Sequence, residues 1–233
     1  MDVSVFVLIH SPLVGSLTWE SVAARLRRLG HSVVVPSLTR VFEAGPPYYS
    51  RLAACASEAV GQVGPGSAMV VVGHSGAGAL LPAITSLIGA RVRTAIFVDA
   101  ILPHLGASWF ETAPTALRAQ LQHRAVNGWL PLWHEWFPRG VLGVLIPDTD
   151  LRARFIADVP KVPVGYIEEH APEVVGWPSE RCAYLQLSAA YASEANDAEA
   201  RGWSVRRESL HHLAMLTAPD RVTDLLRELA AEG

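Results

Sequence analysis

Apolar runs alternate with stretches of helical periodicity along the first hundred residues of the chain. Short continuous apolar runs, typical of strands that are covered on both faces, occupy residues 3–9, 31–36, 68–72 and 92–98. Apolar side chains at helical spacing occur between these runs, at residues 19–29, 50–63 and 76–88. This alternation predicts an α/β fold with a mostly parallel central sheet and helices on both of its faces.

The alternation stops after residue 103 and resumes at residue 180. The segment between them is rich in aromatic side chains, namely Trp109, Phe110, Trp129, Trp133, Trp136, Phe137, Phe155 and Trp177. Beyond it, the pattern predicts strands at residues 181–187 and 203–207 and helices at residues 191–202 and 220–231. We therefore predict a core of residues 1–103 and 180–233 with an inserted helical cap, residues 104–179. Its aromatic residues form either an ordinary subdomain core or an apolar roof over a pocket.

A candidate nucleophile stands where the third predicted strand meets its helix. The stretch Gly73-His74-Ser75-Gly76-Ala77 places a serine between small residues, directly after a buried-type strand. A sharp turn at this point strains the serine backbone and exposes its hydroxyl above the sheet. The alternative interpretation is a plain Gly/Ser-rich turn between two buried elements.

Two further polar residues follow predicted strands in the same way. Ser11 comes after the first strand and Asp99 comes directly after the fourth. Ligands of parallel sheets bind at the carboxyl ends of the strands. We therefore expect Ser11, Ser75 and Asp99 to lie on the same rim of the sheet.

Composition and charge exclude several classes of function. The chain has 233 residues, of which half are hydrophobic, so that a large core is possible without disulfides. The formal charge of −3 gives no reason to expect nucleic acid, and no charged block or long apolar run points to a membrane. Cys55 and Cys182 are too few for a disulfide framework, and no Cys/His spacing resembles a metal site. The apolar start lacks a basic flank, and we expect a cytoplasmic protein.

Several segments, in this order, are similar to one enzyme superfamily. They are Phe6-Val7-Leu8-Ile9-His10-Ser11, Trp19, Leu29-Gly30-His31-Ser32-Val33, the turn at Ser75, Val98-Asp99-Ala100-Ile101-Leu102-Pro103, and His212-Leu213-Ala214-Met215-Leu216 followed by Pro219. Together they resemble the α/β-hydrolase superfamily, and most of all its small hydroxynitrile lyase and plant esterase branch. The resemblance covers the whole chain except most of the predicted cap.

This resemblance implies a catalytic triad in the chain order serine, acid, histidine. Ser75 is then the nucleophile, and His212 is the base that follows the last strand. The spacing to Met215 and Pro219 favours His212, while the neighbouring His211 is its rival.

The acid is harder to assign from the resemblance. In the family branch it follows the strand at residues 181–187, where the matching position in this chain is Tyr191. Glu194 lies nearby, but it falls in the next predicted helix. Other members of the superfamily carry the acid after the preceding strand, where this chain has Asp99. We therefore predict Asp99, with Glu194 as the alternative; a simple turn-capping role for Asp99 is a further possibility.

The oxyanion hole implied by the resemblance also departs from the family pattern. One donor is the backbone N–H of Gly76, the residue after the nucleophile. The second donor aligns with Pro12, which has no N–H. We predict that the Ser11 hydroxyl replaces it, and the N–H of Leu13 is the alternative if the loop is shifted.

These residues lead to one predicted function and two alternatives. The first hypothesis is a serine hydrolase that cleaves a carboxylic ester, lactone or thioester of an apolar small molecule, with no cofactor and no metal. The second keeps the fold but uses the serine and histidine as a general acid/base pair in a lyase, isomerase or cyclase. The third is a ligand-binding protein without catalysis. A serine at the turn argues against an epoxide hydrolase or dehalogenase, which place an aspartate there. A homodimer is compatible with the sequence.

Overall fold

Six parallel strands form one sheet through the centre of the protein. The computed structural model describes residues 5–61, 63–64, 66–178 and 180–232. The strands are β1 (Val5–Ile9), β2 (Ser32–Val34), β3 (Met69–His74), β4 (Val92–Val98), β5 (Arg181–Gln186) and β6 (Ser204–Arg207). They are arranged in the order β2-β1-β3-β4-β5-β6, and every neighbouring pair is parallel. The predicted parallel sheet is confirmed, although residues 3 and 4 of the first predicted strand lie outside the described residues.

Helices cover both faces of this sheet. They are α1 (Leu17–Arg28), α2 (Tyr48–Val60), α3 (Leu81–Ile88), α4 (Trp109–Thr112), α5 (Thr115–Arg124), α6 (Val141–Leu145), α7 (Thr149–Asp158), α8 (Val164–Glu168), α9 (Ala192–Ala200), α10 (Ala214–Thr217) and α11 (Pro219–Ala231). Side chains alternate between the two faces of a strand. In β1, Val5 and Val7 therefore belong to the buried cluster that contains residues of α2, α3 and α9, whereas Phe6 and Leu8 belong to the cluster that contains residues of α1, α10 and α11.

The segment after Ser75 is a tighter helix than the sequence predicts. A 3-10 helix spans Ser75–Leu80, and the α-helix begins only at Leu81. Pro82 has no N–H to donate to the carbonyl of Gly78, so an α-helical hydrogen bond is impossible there. The chain is also crowded at Gly78, where an added Cβ would lie 2.0 Å from the carbonyl oxygen of Ile101. This tight turn holds Ser75 at the carboxyl end of β3.

Short helices fill the region between β4 and β5. Five of them, α4 to α8, lie in this part of the chain. Trp133, Ile146 and Phe155 are buried together with Leu213 and Leu216 of the core, so the region packs directly onto the carboxyl rim of the sheet. The cap boundaries at residues 104 and 179 stay predictions, and Ser179 lies outside the described residues. Within the described chain, no helix is long and apolar enough to cross a membrane.

Two carboxylates of this inserted region bind the N-termini of core helices. Asp158 Oδ2 accepts a hydrogen bond from the N–H of Leu17, 2.8 Å away, at the start of α1. The two carboxylate oxygens of Glu169 accept the N–H groups of Tyr48 and Tyr49, at 2.7 and 2.8 Å, at the start of α2. The first N–H groups of a helix have no partner within the helix, and the helix dipole favours a negative charge there. These contacts therefore attach the inserted helices to the core.

We predict that Glu169→Ala lowers the free energy of unfolding by about 1–2 kcal/mol, because two charge-assisted hydrogen bonds at a helix N-terminus are lost. Urea unfolding followed by circular dichroism measures this change. Glu168→Ala is the matched control, since Glu168 is an exposed neighbour, and its effect is expected to stay within about 0.5 kcal/mol. Equal effects of the two substitutions would contradict the role given to Glu169.

Candidate active site

Ser75 stands on a strained turn directly after β3. Its φ angle of 56° lies in the left-handed region that non-glycine residues rarely adopt. Gly73 permits the close approach of the following helix, because an added Cβ would lie 3.0 Å from the Leu81 side chain. Ala77, which replaces the last glycine of the common pattern, is fully buried without disturbing the turn. This geometry agrees with the predicted sharp turn rather than with a plain loop.

Asp99 lies at the end of the neighbouring strand β4 and is fully buried. Its Oδ1 accepts the N–H groups of Leu187 and Ser188 at 2.7 and 2.9 Å, and its Oδ2 accepts the Ser188 hydroxyl at 2.5 Å. The same Oδ2 lies 3.1 Å from Nδ1 of His212. A carboxylate with this many donors is held in one orientation. Its partners come from the loop after β5 and from His212, not from the turn that follows Asp99.

His212 uses one ring nitrogen to contact Asp99 and keeps the other without a hydrogen bond to the described residues. Nδ1 faces Asp99, and Nε2 makes no hydrogen bond to any residue that the structure describes. The imidazole is packed between aromatic rings: it lies parallel to Tyr191 with centroids 5.0 Å apart, and 4.5 Å from His74. Trp133 of the inserted region is 6.0 Å away. An imidazole oriented by a carboxylate in this way is suited to proton transfer.

The two alternative residues lie in other environments. His211 accepts the N–H of Leu213 at Nδ1 and contacts the Thr217 hydroxyl through Nε2 at 2.8 Å, so both of its nitrogens are used within the start of α10. Glu194 accepts a hydrogen bond from the hydroxyl of Ser193 in the first turn of α9. Within the described chain, neither His211 nor Glu194 is hydrogen-bonded to Asp99, Ser75 or His212. The structure therefore brings Ser75, Asp99 and His212 to one rim and leaves both alternatives outside.

The loop after β1 brings a hydroxyl beside the turn of Ser75. Ser11 is buried, and an added Cβ on Gly76 would lie 3.0 Å from its Oγ. Ser11 Oγ accepts the N–H of Leu13 at 3.3 Å, which leaves the proton of Ser11 available for donation. The N–H of Leu13, the alternative donor, is thereby engaged. Gly76 begins a helical turn, where the first N–H groups lack partners within the helix.

Two buried histidines support these loops as neutral side chains. His10 donates from Nδ1 to the carbonyl of Ser11 at 2.8 Å and accepts the N–H of Leu38 at Nε2, which defines its tautomer. His74 Nε2 donates to the carbonyl of His212 at 2.9 Å. Burial lowers the pKa of His10, and it lowers the pKa of His74 well below its usual range, with a further contribution from His212. Both imidazoles hold backbone groups of the site in place.

Tyr191 is the site neighbour that the sequence did not predict. Its hydroxyl oxygen lies 3.4 Å from Ser75 Oγ, and its ring lies parallel to that of His212. The signal in the sequence was its position, because Tyr191 stands where the resemblance expects the acid. A phenol cannot serve as the carboxylate of a triad.

A small apolar cavity opens beside Gly76. Its lining residues are Pro12, Leu13, Tyr49, Gly76, Ile101, Trp109, Tyr166 and Ile167. Its volume of about 20 Å³ accommodates about one water molecule. Among the described residues, no cluster of three or more His, Cys, Asp or Glu side chains is arranged to hold a metal ion.

The sequence pattern of the alpha/beta hydrolase family matches residues 6–225, which is nearly the whole chain. The chain belongs to the alpha/beta hydrolase family. Its fold is similar to that of a solved extracellular alpha/beta-hydrolase from a Paenibacillus species, with a TM-score of 0.80, 17% identity, and coverage of 97% of this chain and 98% of that one. That protein is described as a structural and functional homologue of tobacco Salicylic Acid Binding Protein 2.

Two curated esterases are similar to this chain in sequence. Esterase PIR7B of Oryza sativa subsp. japonica is 32% identical over 140 residues, covering 52% of this chain and 51% of the relative. The carbendazim hydrolyzing esterase of Nocardioides sp. (strain SG-4G) is 26% identical over 133 residues, covering 53% and 52%. The matched part spans about half the length of each relative. The family match confirms the predicted α/β-hydrolase superfamily, and the similarity to a rice esterase agrees with its plant esterase-like branch.

We predict that this alpha/beta hydrolase loses stability as the pH falls below about 6.5. The unfolded chain then binds protons at His10 and His74, whereas the folded chain does not, because burial lowers the pKa of both. The free energy of unfolding should decrease by up to about 1.4 kcal/mol per pH unit for each histidine.

Urea unfolding between about pH 7 and pH 5 tests this pH dependence. His74→Gln should give a shallower slope, because one of the buried imidazoles whose pKa is lowered by folding is absent. His123→Gln, at an exposed position, should leave the slope as in the wild type. A slope that is unchanged by His74→Gln would contradict the assignment.

Proposed function

We propose that this chain is a serine hydrolase that cleaves a carboxylic ester, lactone or thioester of an apolar small molecule through an acyl-enzyme. The observation that carries the proposal is the contact of 3.1 Å between Asp99 Oδ2 and His212 Nδ1, beside a serine at φ 56° on the same rim. The family membership and the esterase names of both curated relatives support the same class of reaction.

The reaction begins with the attack of Ser75 Oγ on the substrate carbonyl carbon. Nε2 of His212 takes the serine proton, and the Asp99 carboxylate stabilises the resulting imidazolium through Nδ1. The electron pair of the carbonyl bond moves to its oxygen, which is stabilised by the N–H of Gly76 and the hydroxyl of Ser11. His212 then gives the proton to the leaving oxygen or sulfur. Water attacks the acyl-enzyme in the same manner and releases the acid.

The lining of the cavity beside Gly76 supports the proposed apolar substrate class. The lining is apolar and aromatic, without a charged side chain. Such a pocket favours an apolar acyl or ring group over a charged one.

A second candidate function is a lyase or isomerase on the same scaffold. It is favoured by Pro12, which supplies no N–H where the family pattern has a donor. In this reaction Ser75 and His212 transfer protons to and from the substrate, and no acyl-enzyme forms. Covalent trapping separates the two candidates, because only the hydrolase accumulates a substrate-derived acyl group on Ser75.

For the hydrolase, we predict that Ser75→Ala and His212→Ala each reduce kcat/KM for p-nitrophenyl esters by at least about a thousandfold. Asp99→Asn should cause a loss of similar order, because an amide cannot stabilise the imidazolium. His211→Ala is the matched control, and we expect nearly full activity. Absence of turnover by the folded wild type, together with absence of fluorophosphonate labelling at Ser75, would reject the hydrolase and favour the non-hydrolytic or binding alternatives.

We predict that Ser11→Ala lowers kcat by about a hundredfold with little change in KM, because one donor to the oxyanion is lost. Steady-state kinetics on p-nitrophenyl acetate measures both constants. Ser16→Ala is the control in the same loop, since Ser16 precedes α1 without a side-chain capping bond. A Ser11→Ala variant with wild-type kcat would show that the second donor is another group.

A further inference from the structure

Within the described chain, the side chain of Ser75 is hydrogen-bonded to the hydroxyl of Tyr191, with 3.4 Å between the two oxygens. We propose that Tyr191 is a further catalytic residue, whose phenol donates a hydrogen bond to Ser75 Oγ and assists the departure of that oxygen from the acyl-enzyme. The inference rests on the hydrolase proposed above and adds a residue to its mechanism.

The backbone that carries Tyr191 also binds the buried carboxylate of the site. Leu187 and Ser188, just after β5, donate to Asp99 through their N–H groups, and the N–H of Tyr191 donates to the carbonyl of Ser188 at 3.3 Å. Tyr191 ends a short 3-10 turn and stands directly before α9. Its position is therefore tied to Asp99 by a run of backbone hydrogen bonds rather than by a free loop.

The protonation of the phenol decides the direction of this hydrogen bond. Burial raises the pKa of Tyr191, with smaller contributions from the charges of Asp99 and Glu194, so the phenol keeps its proton at neutral pH. A phenol is a better hydrogen-bond donor than an aliphatic hydroxyl. Tyr191 therefore donates to one lone pair of Ser75 Oγ, and the serine proton stays available for His212.

This donor has its largest effect on deacylation. Water adds to the acyl carbon while His212 takes a proton from it, and the bond between carbon and Ser75 Oγ then breaks. The electron pair of that bond goes to Oγ, which receives the proton back from His212; Tyr191 keeps its own proton throughout. The ester oxygen of the acyl-enzyme is a weak acceptor, whereas the departing Oγ is a strong one. The hydrogen bond from Tyr191 therefore strengthens as the acyl-enzyme reacts.

The aromatic ring of Tyr191 has a separate effect on His212. The two rings are parallel within 4° and their centroids are 5.0 Å apart. The negative face of an aromatic ring attracts a cation, so the stack favours the imidazolium that forms in both halves of the reaction. Removing only the hydroxyl leaves this stack in place.

Tyr191→Phe tests the hydroxyl alone in stopped-flow kinetics with p-nitrophenyl acetate. We expect the acylation rate to stay within about threefold and the deacylation rate to fall by about tenfold to a hundredfold. The acyl-enzyme should then accumulate as a covalent adduct of Ser75 in rapid-quench mass spectrometry. All rates are normalised to the fraction of sites that a fluorophosphonate labels, which removes any loss through misfolding.

Tyr48→Phe is the matched control, because it removes the hydroxyl of another buried tyrosine that is not part of this site. Its rates are expected to equal those of the wild type. Tyr191→Leu additionally removes the ring, and we expect acylation to slow as well; an acylation rate equal to that of Tyr191→Phe would overturn the part assigned to the ring.

The outcomes for Tyr191 and for the hydrolase itself are distinguishable. A wild type that turns over esters while Tyr191→Phe deacylates at the same rate overturns the role of the phenol and leaves the hydrolase intact. A wild type that neither labels nor turns over rejects the hydrolase before Tyr191 is considered.

Discussion

The buried carboxylate of Asp99 is the interaction on which the rest of the site depends. A charge without solvent is costly unless donors surround it, and here the donors are backbone groups after β5, the Ser188 hydroxyl and His212. The same hydrogen bonds join the ends of β4 and β5 to the loop that carries His212. One carboxylate thereby determines the separation of these loops and the orientation of the imidazole. Tyr191 follows from the same constraint, because it stands on the backbone that Asp99 binds.

Two buried, neutral histidines, His10 and His74, hold the backbone of the loops around this carboxylate. His10 joins the loop of Ser11 to the backbone at Leu38, and His74 holds the carbonyl of His212. Full burial keeps both in one protonation state, so each acts as a fixed donor rather than as a base. The site thus contains histidines of identical chemistry whose roles differ through solvation and hydrogen-bond partners. Of the three, only His212 has a carboxylate partner within the described chain.

Hydrogen bonds, in addition to apolar contacts, attach the inserted helices to the core. Asp158 and Glu169 bind the N-termini of α1 and α2. The inserted segments are thereby fixed relative to two helices that cover the sheet. Side chains from both regions, such as Tyr49 and Tyr166, line the cavity beside Gly76. Because the cavity is small, the size and shape of the substrates that fit into it depend on how these side chains rearrange.

The amino-acid pattern alone predicted the order of strands and helices along the chain, the parallel sheet and the sharp turn at Ser75. Short apolar runs, helical periodicity and the Gly73–Ala77 stretch are local signals. They can be recognised without knowing which elements come into contact. The sequence also placed Asp99 and His212 after strands and favoured them over Glu194 and His211, but it could not show that their side chains meet. The folded structure adds the contact between Asp99 and His212, which lie 113 positions apart in the chain, and this contact supports the proposed pair. The stack of Tyr191 on His212 joins two elements that no local pattern connects. The 3-10 helix after Ser75 has a local cause in Pro82 and a tertiary one in the crowding of Gly78 against Ile101.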